Sequence, residues 1–261
     1  EFSRVRLDSH LEIWVSTSDL HPLPSSYLPA RRVAGNARVV SSPEWEDLVV
    51  PMGARPAYFV DEGARELTVT LYGTTINTDI VNYGANDSLV RETKWTQDSD
   101  DRGHFTLELS APAYGYLAFW SNGAFVLRVR RPPRIQRDQP LKGLTIAIDP
   151  GHPPIGATGP TGLYEPVPTL AVGLVVQQLL EARGAKVVMT RRTNTGVGPC
   201  IDRRAHILDK ARSDVAIDIH ADGGPPGGRG VAILTPVADG PNDHVIASSR
   251  RFGRILLKRY T

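Results

Sequence analysis

The spacing of apolar residues changes character about halfway along the chain. Up to about residue 130 they recur at every second position. Leu11, Ile13 and Val15 alternate with Glu12 and Trp14, Leu67, Val69 and Leu71 with Thr68 and Thr70, and Phe105, Leu107 and Leu109 with Thr106 and Glu108. A period of two sends successive side chains to opposite faces, so each run predicts a strand with one buried face. Tyr116 to Arg130 reads as a hairpin turning at Ser121-Asn122-Gly123, because Asn-Gly favours the positive-φ turn that matches strand twist. Short strands separated by turn residues predict an all-β sandwich over residues 1–130. Residues 131–140, Arg-Pro-Pro-Arg-Ile-Gln-Arg-Asp-Gln-Pro, carry proline and charge without apolar period and predict an extended linker.

From residue 141 strands and helices alternate, which predicts an α/β unit, an open mixed sheet with flanking helices. Leu144 to Ile148 is an apolar, β-branched run of the kind buried on both faces. After Glu165, the residues Val167, Leu170, Ala171, Leu174, Val175 and Leu179 follow helical spacing, with Pro166 and Pro168 in the first turn and Gly184 as the closing glycine. Further strands are expected at Lys186–Thr190, Val215–Ile219 and Val231–Thr235, and helices at Ile201–Arg212 and Val245–Tyr260.

Composition narrows this picture modestly. The 261 residues suit one large domain or two ordinary ones. A net charge of +2 makes no case for nucleic acid as a partner. No apolar run approaches the ~18 residues of a membrane-spanning helix. Glu1-Phe-Ser-Arg has no apolar signal core, as expected of a cytosolic protein or of the mature form of an exported one. The single Cys200 excludes an intrachain disulfide. All four tryptophans, Trp14, Trp45, Trp95 and Trp120, fall in the β half. They read as core and cross-strand packing, or as a sugar-stacking face.

The candidate chemistry sits where strands of the α/β half end. Asp149-Pro150-Gly151 breaks the first strand and hands His152 to a loop, and Val215–Ile219 delivers His220 in the same way. Glu165 stands 13 residues after His152 and 55 before His220, just ahead of a helix. Ligands of open α/β sheets collect at the carboxyl ends of strands. Two His and one Glu there make the three-protein-ligand set of a catalytic zinc site, with a fourth position open to water. Their wide spacing suits a site assembled from separate elements rather than a structural zinc finger. Each residue alone has a plainer reading. A His after a strand caps a loop, Glu165 is a favourable charge at a helix N-terminus, and Asp149-Pro-Gly is a turn. Asp149 is also a candidate acceptor for orienting a ligand imidazole. His10, His21, His104, His206 and His244 lack such context and read as surface or packing residues.

Five segments in order carry a family resemblance: Ile148-Asp-Pro-Gly-His152, Gly156-Ala-x-Gly159-x-x-Gly162-x-x-Glu165, Thr190-Arg191, Arg204-Ala205, and Ile219-His-Ala-Asp222 with a glycine-rich turn. From about residue 141 the chain resembles the zinc-dependent N-acetylmuramoyl-L-alanine amidases (Amidase_3 type) of bacterial cell walls. Gly198-Pro-Cys-Ile-Asp202 resembles a segment of one branch of that family. Asp218 departs from the usual Ser, Asp209 from a common Asn, and Pro166 and Pro168 follow the Glu.

The resemblance implies a secreted hydrolase of the autolysin kind. It would cleave the amide between N-acetylmuramic acid and the L-alanine of the stem peptide by zinc-activated water. It implies His152, Glu165 and His220 as Zn2+ ligands. Arg191, Arg204 and Asp222 fall on family positions, with structural ion pairs expected of the arginines before substrate contact. Peptidoglycan is the implied partner, and an exported location in periplasm or cell wall is implied with it. The position of residues 1–130 resembles that of AMIN-type targeting domains, which implies a wall-associated partner. The family's general base is a Glu in a strand well beyond the second His. Only 41 residues follow His220, and their carboxylates are Asp222, Asp239 and Asp243. The expectation is therefore an amidase domain over 141–261, truncated before its last strand and helix, with the base beyond residue 261. Two rival functions remain: a catalytically incomplete protein that binds the wall or regulates a hydrolase, and a zinc peptidase acting on wall peptides.

Overall fold

The computed structural model describes residues 1–27, 31–195, 200–223, 227, 230–237 and 243–260, the side chains of 243 and 244 excepted. Its strands are β1 (Phe2–Arg6), β2 (Glu12–Ser16), β3 (Arg32–Ala34), β4 (Ala37–Ser41), β5 (Trp45–Pro51), β6 (Ala57–Glu62), β7 (Glu66–Tyr72), β8 (Thr74–Ile76), β9 (Val81–Asn82), β10 (Val90–Ser99), β11 (Arg102–Leu109), β12 (Tyr116–Ser121), β13 (Ala124–Arg130), β14 (Thr145–Pro150), β15 (Lys186–Met189) and β16 (Val215–Ile219). Its helices are α1 (Pro166–Glu181), α2 (Ile201–Ala211) and α3 (Asp243–Tyr260). Contacts divide the chain into two compact units, Glu1–Pro132 with Ala232–Thr261, and Pro133–Val231. The chain is mostly β-sheet with few helices, and its α/β region lies in the second unit.

In the first unit a four-stranded sheet runs β10-β11-β7-β6 and a five-stranded sheet runs β12-β13-β5-β4-β9. The period-two pattern decides which side chains turn inward. Leu67, Val69 and Leu71 of β7 and Phe105 and Leu107 of β11 are completely buried, with Leu67 opposite Leu107 and Val69 opposite Phe105. On the other face of the same pair Thr68 and Thr106 join hydroxyls at 3.0 Å. The core they enter is shared with Leu48, Val50, Phe125, Leu127 and Val129 of the second sheet, so the two sheets bury their inner faces together. The hairpin β12–β13 turns at Asn122 and Gly123, both at positive φ (48° and 73°), as an Asn-Gly turn requires. One charge is taken into this core. Glu46 is fully buried and accepts the N–H groups of Ser88, Leu89 and Val90, with the Arg131 guanidinium beside it.

The tryptophans divide. Trp95 and Trp120 pack against the shared core and Trp45 lies under the Arg128 guanidinium, in line with the packing expectation. Trp14 is 68% exposed, on β2 of a two-stranded sheet that among the described residues pairs β1 with β2 alone.

The second unit is a three-stranded parallel sheet in the order β15-β14-β16. The run that predicted a doubly buried strand is β14, its middle strand, and Ala147 and Ile148 have no exposure. Helix α1 packs on β14 and β15, and α2 packs on β14. Ile146, Ile148, Val187 and Met189 form the core with Leu174 and Leu180 of α1 and Ile217 and Ile219 of β16. Gly184, at φ 91°, turns the chain out of α1 while the Ala185 N–H reaches back to the Leu180 carbonyl. Val167, Val175 and Leu179, which fit the helical spacing, lie on the exposed face of α1.

The expected strand over Val231–Thr235 does not form. Its sequence suits a strand, but a strand needs an edge to pair with, and backbone pairing rather than composition decides. Ile233 and Thr235 instead lie against Gly253 of α3, where an added Cβ would approach Thr235 Cγ2 to 2.9 Å. The helix expected at Val245–Tyr260 is α3. Gly198, Pro199 and Asp239 lie outside the described residues. Among the described residues no helix is long and apolar enough to cross a membrane.

Candidate metal centre

The carboxyl ends of β14 and β16 lie side by side, with Asp149 opposite Asp218 and Pro150 opposite Ile219. The Gly151 N–H continues the ladder to the Ile219 carbonyl at 2.8 Å. One residue further on, His152 leaves one strand and His220 the other. Their rings meet edge to face with centroids 4.8 Å apart. Gly151 makes this approach feasible, since a Cβ there would lie 2.5 Å from the His220 ring. His152 itself holds φ at 57°, a region that non-glycine residues occupy infrequently and that often marks a functional site.

Glu165 arrives from the start of α1 and is 6% exposed. Both of its oxygens are engaged. Oε2 accepts the Ala157 N–H at 2.9 Å and lies 3.2 Å from His152 Nε2. Oε1 accepts the Ala221 N–H at 2.9 Å and lies 3.1 Å from His220 Nδ1. Burial alone would raise the Glu165 pKa. The two backbone N–H groups, His220 and the charge of His152 outweigh it and hold the carboxyl below its ordinary value. One donor atom from each of His152, Glu165 and His220 lies within 4.8 Å of the others. Tetrahedral zinc with bonds of about 2.0–2.1 Å needs donors about 3.4 Å apart. Each imidazole is about that far from a Glu165 oxygen, but from a different one, so the three donors must draw together to enclose an ion.

The arginines hold the loop rather than face solvent. Arg204 pairs with Asp149 and donates to the carbonyls of Pro150, His152 and Pro153. Arg191 donates to the carbonyls of Pro150, Gly151 and Pro166 and to the Thr169 hydroxyl. Both are buried. Asp149 accepts from the Thr190 hydroxyl and from Arg204, so its carboxylate is turned to these groups and not to an imidazole. Beside Glu165, Asp218 is a carboxylate that reaches a candidate ligand imidazole, with Oδ2 at 3.2 Å from His220 Nε2. In sequence Asp218 stands out only as a departure from the family's usual Ser. The signal was its place two residues before His220, on the same face of the strand. Burial, then the neighbouring charge of Asp149, raises the Asp218 pKa. Asp222 is exposed, and the side chain of Asp243 lies outside the described residues.

This defines an α/β unit whose strand ends gather a set of residues that could hold a metal. Sequence comparison shows what this unit resembles. Residues 146–261 match the family model described as N-acetylmuramoyl-L-alanine amidase. An N-acetylmuramoyl-L-alanine amidase of Mycobacterium tuberculosis is 31% identical over 34% of this chain and 46% of its own length. The germination-specific N-acetylmuramoyl-L-alanine amidase of Bacillus subtilis is 33% identical over 31% of this chain and 40% of its own. The crystal structure of an N-acetylmuramyl-L-alanine amidase from Mycobacterium smegmatis aligns with 33% of this chain and 50% of that one, at 28% identity and a TM-score of 0.32. Residues 146–261 are thus similar in sequence to the N-acetylmuramoyl-L-alanine amidase family. The chain spans less than half the length of the curated relatives it matches.

Proposed function

We propose that the chain is a zinc-dependent peptidoglycan hydrolase of this family, cleaving the amide between N-acetylmuramic acid and the L-alanine of the stem peptide. The observation that carries the reading is the convergence of His152, Glu165 and His220, within 4.8 Å, inside the segment that matches the family. Two imidazoles and one carboxylate suit zinc chemically, and an ionised, hydrogen-bonded Glu is ready to bind a cation without first losing a proton.

His152, Glu165 and His220 would hold the ion. Bound there, zinc supplies an acidified water with a pKa near ~7 and polarisation of the scissile carbonyl. The protein's own part is positional. The Ala157 and Ala221 N–H groups fix both oxygens of Glu165. Arg191 and Arg204 tie down the carbonyls of Pro150 to Pro153 and so fix the loop carrying His152. The substrate lies in the cell wall, so export to the periplasm or wall goes with this reading. So does a wall-targeting role for residues 1–130, supported by their place ahead of the amidase segment and by the exposed Trp14. Retention of Trp14→Ala by insoluble sacculi as fully as the parent chain would count against that last part.

Digestion of purified peptidoglycan with added zinc, read by mass spectrometry against His220→Ala, tests the activity. Stem peptides with a free L-alanine amino terminus, absent from the control, are expected. Peptide fragments with the lactyl–alanine amide intact would show a peptidase instead. Zinc uptake without any product would favour a wall-binding or regulatory protein.

A further inference from the structure

His220 stands between two carboxylates. Its Nδ1 lies 3.1 Å from Glu165 Oε1 and its Nε2 lies 3.2 Å from Asp218 Oδ2. A neutral imidazole has one N–H and one lone pair, so only one nitrogen can serve as donor to a metal while the other donates a hydrogen bond. The nitrogen turned toward Glu165 is Nδ1. The hydrogen then belongs on Nε2, where Asp218 is the acceptor within reach.

The strand builds this arrangement. Ile217 and Ile219 point into the core of the α/β unit, so Asp218 and His220 share the opposite face of β16. Asp149, the register partner of Asp218, is engaged by Thr190 and Arg204. Of the two neighbouring carboxylates, Asp218 is the one that meets the imidazole. The side chains of Asp218 and His220 are 56% and 47% exposed, and an ion pair so open to water adds little to fold stability. The contact therefore has more to do with the imidazole than with folding.

We propose that Asp218 is a positioning residue of the metal centre: it accepts the Nε2–H of His220, fixes the tautomer that leaves Nδ1 as the donor nitrogen, and holds the ring edge-on to His152. The inference rests on the metal reading above. A carboxylate behind a ligand imidazole sets ring orientation and increases ligand basicity, so its loss is felt in metal affinity.

Zinc titration of the whole chain, by competition with a chromophoric chelator, tests this on the parent protein, Asp218→Ala, Asp218→Asn and His220→Ala. Asp218→Ala should bind zinc about 10–100-fold more weakly. Asp218→Asn should fall between it and the parent, because its amide oxygen still accepts but lacks the charge. The thermal unfolding midpoint without metal should be the same for both variants and the parent. Parent-like affinity in Asp218→Ala overturns the proposal. A loss of affinity matched by a lower metal-free midpoint overturns it too, since it assigns Asp218 to fold stability. A parent chain that takes up no zinc removes the metal reading itself, and this proposal with it.

Discussion

The Arg204 guanidinium is ion-paired with the Asp149 carboxylate, and both side chains are about nine-tenths buried. The same guanidinium donates to the backbone carbonyls of Pro150, His152 and Pro153. A helix residue thus holds both the end of β14 and the loop that carries a candidate ligand. Neither charge is near bulk water, so removal of one leaves the other uncompensated.

Arg204→Ala should accordingly destabilise the α/β unit by about 3–5 kcal/mol, the cost of breaking a buried pair from one side. Arg204→Lys should restore only part of this, because an ammonium lacks the planar fork that reaches several acceptors at once. Urea unfolding monitored by far-ultraviolet circular dichroism measures both. A loss on the scale of an exposed pair would contradict the buried role.

Gly151→Ala should leave the fold intact and disturb the centre. The new Cβ would lie 2.5, 2.7 and 2.8 Å from three atoms of the His220 ring, so the ring must move. Zinc binding should weaken by about tenfold or more, the scale of a disturbed ligand environment. Isothermal titration with zinc decides this, and unchanged affinity would place the ring away from the metal.

His152→Ala, Glu165→Ala and His220→Ala should each sharply reduce zinc affinity while the β unit keeps its tertiary structure. The three candidate ligands lie in the unit Pro133–Val231 and the β-sheet core in the other. Metal analysis after dialysis, beside near-ultraviolet circular dichroism, reads both. Full zinc occupancy in any of the three would show that the assignment is wrong.

The β unit should lose stability in acid. Burial works to raise the Glu46 pKa, but the N–H groups of Leu89, Ser88 and Val90 and the charge of Arg131 overcome it and hold the carboxyl below its ordinary value. The hydrogen bond from Arg102 leads in lowering Asp8 in the same way. A carboxylate with a depressed folded pKa binds fewer protons folded than unfolded. Its stabilisation is present above the unfolded pKa and is lost as pH falls through the folded one. Unfolding free energy measured from about pH 6 to about pH 3 should therefore decline. Glu46→Gln should be less stable at neutral pH and show a shallower decline. An equally steep decline in that variant would exclude Glu46 as a source.

Where a property depends on neighbours close in sequence, it was legible before the fold. Alternation in Leu67–Leu71 and Phe105–Leu109 marked strands because side-chain direction along a strand has a fixed period of two. Asn122-Gly123 marked its turn because few residues tolerate positive φ. His152, Glu165 and His220 stood out because breakers and strand ends place such residues in loops at one sheet edge, and that edge is where the structure gathers them.

What needed the tertiary structure was the identity of partners. Asp149 lies one residue beyond Ile148 in β14, close to His152 in sequence, yet packing of α2 on β14 turns it to Arg204, 55 positions away. Asp218 meets His220 along its own strand, but that His220 also faces Glu165 and His152 follows from two parallel strands bringing their ends together. The Val231–Thr235 run has the composition of a strand and does not become one. Trp14 is exposed in a chain whose other tryptophans are packed. Composition and spacing therefore determined which segments are able to form strands or helices and which residues are chemically able to hold a metal. Pairing of strand edges and packing of helices decided which carboxylate meets which cation or imidazole, because hydrogen bonds and ion pairs act between groups that only the folded chain brings within about 3 Å.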